Sequence, residues 1–226
     1  MELSMSAPRI VPTFAALIAA LEPEVRERLS AIDPAHDWFH VQRVRALARK
    51  LLEHEPGEPE RVDLLALLHD VCDRKLGARA MSGVELRGRF EALEVDEATI
   101  AGVFADLEKF GFPGAGSREQ PLSREGELVR DADRLDALGA IGVARTFAYA
   151  GSIGQALHDP ELPPRVHANT AEYRSGKTTA INHFEEKLIH LPERMHSATA
   201  KALARERVGV LLDFRARFLA EWSLGE

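Results

Sequence analysis

Along almost the whole chain apolar residues recur at helical spacing, and no stretch alternates apolar with polar residues as a half-buried strand would. A chain patterned in this way buries its core by packing helices on helices. We therefore expect an all-α bundle, with helices over 14–32, 34–54, 59–73, 82–93, 96–110, 123–138, 141–149, 178–191 and 197–222. Pro- and Gly-bearing breaks separate them, among them "EPGEP", "GFPGAGS", "ALGAIG" and "HDPELPP". Residues 151–177 lack periodicity and read as one long loop, a candidate lid.

Composition narrows the classes. The 226 residues are 45% hydrophobic, enough for a substantial core. No linker-like shift divides them, so residues 1–226 read as one domain, with a core at about 34–195 and terminal helices packed on it. Cys72 is the sole cysteine, which rules out an intrachain disulfide and fits a reducing cytoplasm. It sits in an apolar context and reads as a packed thiol. The net charge of -7 and the lack of a basic stripe argue against a nucleic-acid partner. No apolar run reaches the length of a membrane span, and "IVPTFAALIAAL" reads as part of a first amphipathic helix. The charged amphipathic segment 197–222 would pack on the bundle or on the second subunit of a homodimer.

Three clusters of titratable residues interrupt this helical pattern. In the 34–54 helix, His40 continues the apolar stripe of Val44, Leu47, Ala48 and Leu51 and so points inward. His36 lies one turn earlier, and a pair of imidazoles four apart can grip a metal ion. Taken alone, an inward histidine is more commonly a core residue bonded to backbone. The 59–73 helix is apolar almost all round from Leu64 to Leu68, yet it runs into His69 and Asp70. A buried carboxylate has to be paired or bound to a metal. The third cluster, "VRDADRLDALGAIG", carries Asp131, Asp133 and Asp136 on one helix. Asp136 lies nearest the apolar arc and the other two flank it; helical phase does not choose among them.

These residues resemble the HD-domain phosphohydrolases. His40, the dipeptide His69–Asp70 and an aspartate of "DADRL" match that family's ordered H…HD…D signature. "HDWFHVQRV", "ALLHDVCDRK", "VRDADRLDALGAIGVARTFAYAG" and "TAINHFEEKLIHL" look like its small bacterial single-domain members, some of which are nucleotide pyrophosphohydrolases. The likeness runs from Ala35 to Met195 and implies an all-α bundle with ligands converging from non-adjacent helices. It maps the metal ligands to His40, His69, Asp70 and Asp133, with Asp131 as the fallback for the last.

Two imidazoles and two carboxylates suit one divalent ion, Mn foremost, with Mg, Fe, Co, Ni or Zn as options. Such an ion can polarise a phosphoryl oxygen and activate water. Asp73 completes H-D-x-x-D and is a candidate for orienting or deprotonating that water, on the expectation that it shares the helix face of Asp70. Lys75 and Arg43 are candidates for offsetting substrate charge. Arg43 could instead pair with Asp37 or Asp70. The resemblance adds His183 and Lys187 to the substrate pocket. "AEYRSGKT" imitates a P-loop, but no strand precedes it and Ala171 replaces the first glycine. The expected substrate is a nucleotide, cut at a phosphoanhydride or phosphate ester. A phosphodiesterase acting on a cyclic nucleotide and a non-catalytic nucleotide-binding module are the alternatives.

Overall fold

The computed structural model describes residues 12–30, 37–110, 119–165 and 177–223, apart from the side chains of Arg74 and Lys75. Among these the secondary structure is entirely helical. The α-helices are α1 (Phe14–Leu29), α2 (Trp38–Leu52), α3 (Pro59–Leu68), α4 (Gly83–Ala92), α5 (Glu97–Leu107), α6 (Arg124–Asp136), α7 (Gly139–Ser152), α8 (Ala180–Glu186) and α9 (Ala198–Trp222). Two 3-10 segments, Arg74–Arg79 and Leu188–Arg194, complete the set.

Helix starts follow from side-chain caps. Thr13, Asp37, Ser82, Asp96, Ser123, Thr179 and Ser197 each accept a backbone N–H of the first turn. Each such cap contributes about 1 kcal/mol. Asp37 caps α2 by accepting the His40 N–H at 2.9 Å. Helix α2 therefore starts at Trp38, later than the expected residue 34, and Asp37 caps the backbone where it was named as one possible partner of Arg43. His36 falls outside the described residues.

Helix α3 is the centre of the bundle. It opens on Pro59, which suits a first helical turn, and buries every residue from Leu64 to Leu68. It packs on α1, α2, α5 and α6, while α2 also lies along α6. One continuous core runs from Leu17 on α1 to Leu211 on α9. Helix α9 packs on α6, α7, α8 and the second 3-10 segment, so the C-terminal helix covers the bundle itself.

Two further boundaries differ from expectation, while the break expected at "ALGAIG" is present. Helix α3 ends at Leu68, with His69 as its C-cap, and the chain turns through Asp70–Cys72. The turn is fixed by Val71 N–H on Leu68 O (3.1 Å), Asp73 N–H on Asp70 O (2.9 Å) and Met81 N–H on Val71 O (2.8 Å). It buries Val71 and leaves Cys72 exposed, so the thiol is not packed as its apolar context suggested. The expected 178–191 helix breaks at Lys187, whose backbone (φ -142°, ψ -57°) leaves the helical region, and continues as the 3-10 segment. Between α6 and α7 the chain turns sharply at Gly139 (φ +70°). A Cβ on Gly142 would collide there with the Ala137 carbonyl oxygen, which accounts for both glycines of "ALGAIG".

Candidate metal centre

The inward stripe of α2, the C-terminal end of α3 and the last turns of α6 meet in one place. His40 is completely buried and His69 is 8% exposed. Their Nε2 atoms face each other at 3.2 Å, and the rings meet edge to face. Asp70 Oδ2 lies 3.4 Å from His40 Nε2 and 3.5 Å from His69 Nε2. Asp133 Oδ1 lies 3.4 Å from His40 Nε2. Among the described residues, His40, His69 and Asp133 form a group whose donor atoms all lie within 4.8 Å of one another.

These spacings fit a divalent ion. Ligands about 2.1 Å from a metal are roughly 3.0–3.4 Å from their neighbours in octahedral or tetrahedral arrangements. The observed separations of 3.2–3.5 Å lie at or just beyond that range. The carboxylate–imidazole distances are longer than the usual N–H···O bond. The donor set of two imidazoles and two carboxylates suits Mn, Fe, Co, Ni or Zn, with Mg plausible through the carboxylates.

The far side of each ring is anchored. The His69 Nδ1 contacts the Ala66 carbonyl oxygen at 2.8 Å, and Phe110 packs edge-on against the ring. The His40 Nδ1 contacts Asp136 Oδ2 at 2.8 Å. Asp136 is 1% exposed and also accepts Arg43 Nε (2.8 Å), Arg43 Nη2 (3.1 Å) and Arg145 Nη1 (3.0 Å). Burial pushes the Asp136 carboxyl up, but the bonds from His40 and Arg43 and the charge of Arg145 outweigh it and hold the group well below the usual carboxylate range. Burial likewise depresses His40, and its bonds to Asp136 and Asp70 more than offset that, so its pKa is raised.

Asp131 lies elsewhere. It is fully buried and accepts the His196 N–H (2.9 and 3.1 Å), the Ser197 N–H (2.8 Å) and the His196 ring Nδ1 (2.9 Å) at the start of α9. The helical wheel left Asp131, Asp133 and Asp136 open; the fold sends Asp133 to the histidines, Asp136 behind His40 and Asp131 to a helix start.

Asp73 is half-buried on the turn after α3, because the helix face it was expected to share with Asp70 ends five residues earlier. Arg43 is locked on Asp136, a partner the sequence reading did not consider. The Lys75 side chain lies outside the described residues. His183 and Lys187 are half-buried on and just after α8, with the Lys187 N–H on the His183 carbonyl at 3.1 Å. The candidate lid is described only up to Arg165 and again from Lys177, so most of the P-loop-like "AEYRSGKT" also lies outside. The 3% exposed Glu186 accepts bonds from Arg165 and Thr178, tying both flanks of that segment to α8. Asp136 is the site residue to which sequence reasoning gave no role. Its place nearest the apolar arc of α6 was the signal, since an inward carboxylate requires partners.

The HD domain family profile matches residues 38–138. The chain is 34% identical to YpgQ of Bacillus subtilis over 84% of its length and 86% of that protein. A YpgQ structure in complex with ADP aligns with a TM-score of 0.74 at 30% identity, covering 95% of this chain and 98% of that one. A Lactobacillus plantarum protein aligns with a TM-score of 0.83 at 37% identity, covering 92% and 97%. An HD-superfamily hydrolase from Bacillus thuringiensis aligns at 0.69 with 35% identity, covering 93% and 98%. The likeness covers the helices that carry all three clusters of titratable residues, and the chain belongs to the HD-domain family, among its small HD-superfamily hydrolases.

Proposed function

We propose that the protein is a metal-dependent phosphohydrolase acting on a nucleotide, cutting a phosphoanhydride or phosphate ester bond. The observation that carries this reading is the meeting of His40, His69 and Asp133, whose donor atoms lie within 4.8 Å of one another, with Asp70 Oδ2 3.4 and 3.5 Å from the two imidazole Nε2 atoms. Bound there, Mn or a similar ion would polarise a phosphoryl oxygen and lower the pKa of an attacking water.

The chain's own groups supply the rest. His40 closes the floor of the site, while the Asp133 side chain is 40% exposed and leaves an approach from solvent. Asp73 is assigned to orienting the water and accepting its proton as the water oxygen bonds to phosphorus. The P–O bond to the leaving group then breaks, and the leaving oxygen takes up a proton from solvent. Lys75, Arg43, His183 and Lys187 are assigned to substrate charge, with the Arg43 side chain 32% exposed beside the ligands. The ADP bound in the YpgQ structure supports a nucleotide substrate.

The test is a matrix of nucleoside tri-, di-, mono- and cyclic phosphates against Mn, Mg, Co, Ni and Zn. Release of pyrophosphate from a triphosphate identifies a pyrophosphohydrolase, and release of free phosphate alone a nucleotidase. Ring opening of a cyclic nucleotide would move the reading to a phosphodiesterase. Nucleotide binding without turnover under any metal would contradict the enzyme reading and leave a binding module.

A further inference from the structure

We infer that Asp136 is a positioning residue that fixes His40 in the tautomer carrying its proton on Nδ1, so that the Nε2 lone pair is aimed at His69, Asp70 and Asp133. An ionised carboxylate accepts hydrogen bonds and donates none. Asp136 is clamped by Arg43 through Nε and Nη2 and by Arg145 through Nη1, so it meets His40 Nδ1 at 2.8 Å as an acceptor. The ring proton therefore belongs on Nδ1. His69 is oriented in the same sense by a different device, since Nδ1 faces the Ala66 carbonyl, which also can only accept. Both Nε2 atoms then turn their lone pairs into the shared gap of 3.2 Å. Asp136 is 1% exposed and His40 is fully buried, so solvent does not reorient the ring. Arg43 and Arg145 come from α2 and α7, and the carboxylate joins three helices behind the ligands.

A purely structural salt bridge would lower stability when broken and leave the ring proton where it is. Asp136→Ala separates the two cases. It removes the acceptor that faces Nδ1, and the Asp70 and Asp133 carboxylates, each 3.4 Å from Nε2, would draw the ring proton to Nε2, where it blocks a metal. The importance for metal rests on the metal-dependent reading above; the tautomer itself does not.

The test uses the full chain, metal-stripped and 15N-histidine labelled, with the His40 signals assigned by their loss in His40→Gln. At alkaline pH the wild type should show the Nδ1–H pattern for His40, and Asp136→Ala the Nε2–H pattern. Affinity for Mn alone, by calorimetry, should fall about 10- to 100-fold in Asp136→Ala, while Asp136→Glu stays near wild type. An Nε2–H pattern for wild-type His40 would overturn the inference even if the variant failed to fold. So would a folded Asp136→Ala with an unchanged ring pattern and Mn affinity. A wild type that shows the Nδ1–H pattern but binds no divalent ion would sink the metal reading and leave the positioning role of Asp136 standing.

Discussion

Asp133 and Asp136, one turn apart on α6, face opposite nitrogens of a single imidazole: Asp133 Oδ1 is 3.4 Å from His40 Nε2, and Asp136 Oδ2 is 2.8 Å from His40 Nδ1. Their separation of three residues puts both on one helix face. Asp131, two residues before Asp133, faces another way.

Exchanging the neighbours should separate their roles. Asp133→Ala should weaken divalent-metal affinity by more than about 100-fold, beyond the usual cost of an outer-shell change. The melting temperature of its metal-free form should barely move. Asp131→Ala leaves the His196 and Ser197 N–H groups without their acceptor, at a cost of about 1–3 kcal/mol, and should leave metal affinity intact. Calorimetry and thermal melts on both variants check the pair; the reverse pattern would assign the ligand to Asp131.

Losing a ligand from the turn after α3 should empty the centre. His69→Ala or Asp70→Ala should abolish metal retention and turnover with modest loss of helicity, because α3 ends at Leu68, before either residue. Metal content after purification, with circular dichroism as the control, checks this.

Protons should compete with metal at His40. Its pKa in the metal-free fold is raised above 6.5, through Asp136 and Asp70. Charged His40 therefore stabilises the metal-free fold fully below the unfolded value, and that contribution fades as pH rises through the raised folded value. Metal affinity runs in the opposite sense, falling as pH drops through the same raised value, by up to about tenfold per pH unit for one proton displaced. Calorimetric titrations across this range should show the loss beginning above pH 6.5.

The α6–α7 turn should resist enlargement. Gly142→Ala drives a methyl group into the Ala137 carbonyl oxygen, and the strain should cost about 1–3 kcal/mol, seen as a lower melting temperature.

Most of the bundle was legible because its signals are local. The stripe of His40, Val44, Ala48 and Leu51 is buried as its spacing demanded. His69 and Asp70 stood out because an all-apolar helix ran into them. The end of that helix was not legible: "VCD" continues the apolar period, whereas the turn is set by Met81, ten residues beyond Val71. The same turn exposes Cys72 and takes Asp73 off the helix face. Nor could Asp136 be given its role, since its partners Arg43 and His40 lie more than ninety residues upstream on another helix. The choice of Asp133 came from a family resemblance, because helical phase did not choose among Asp131, Asp133 and Asp136.

Metal dependence is read most directly from nucleotide hydrolysis by the wild-type protein before metal stripping, after it and after reloading. Turnover should be lost with the metal and return on adding a divalent ion, Mn first. Full turnover by the stripped protein would contradict a metal-dependent phosphohydrolase.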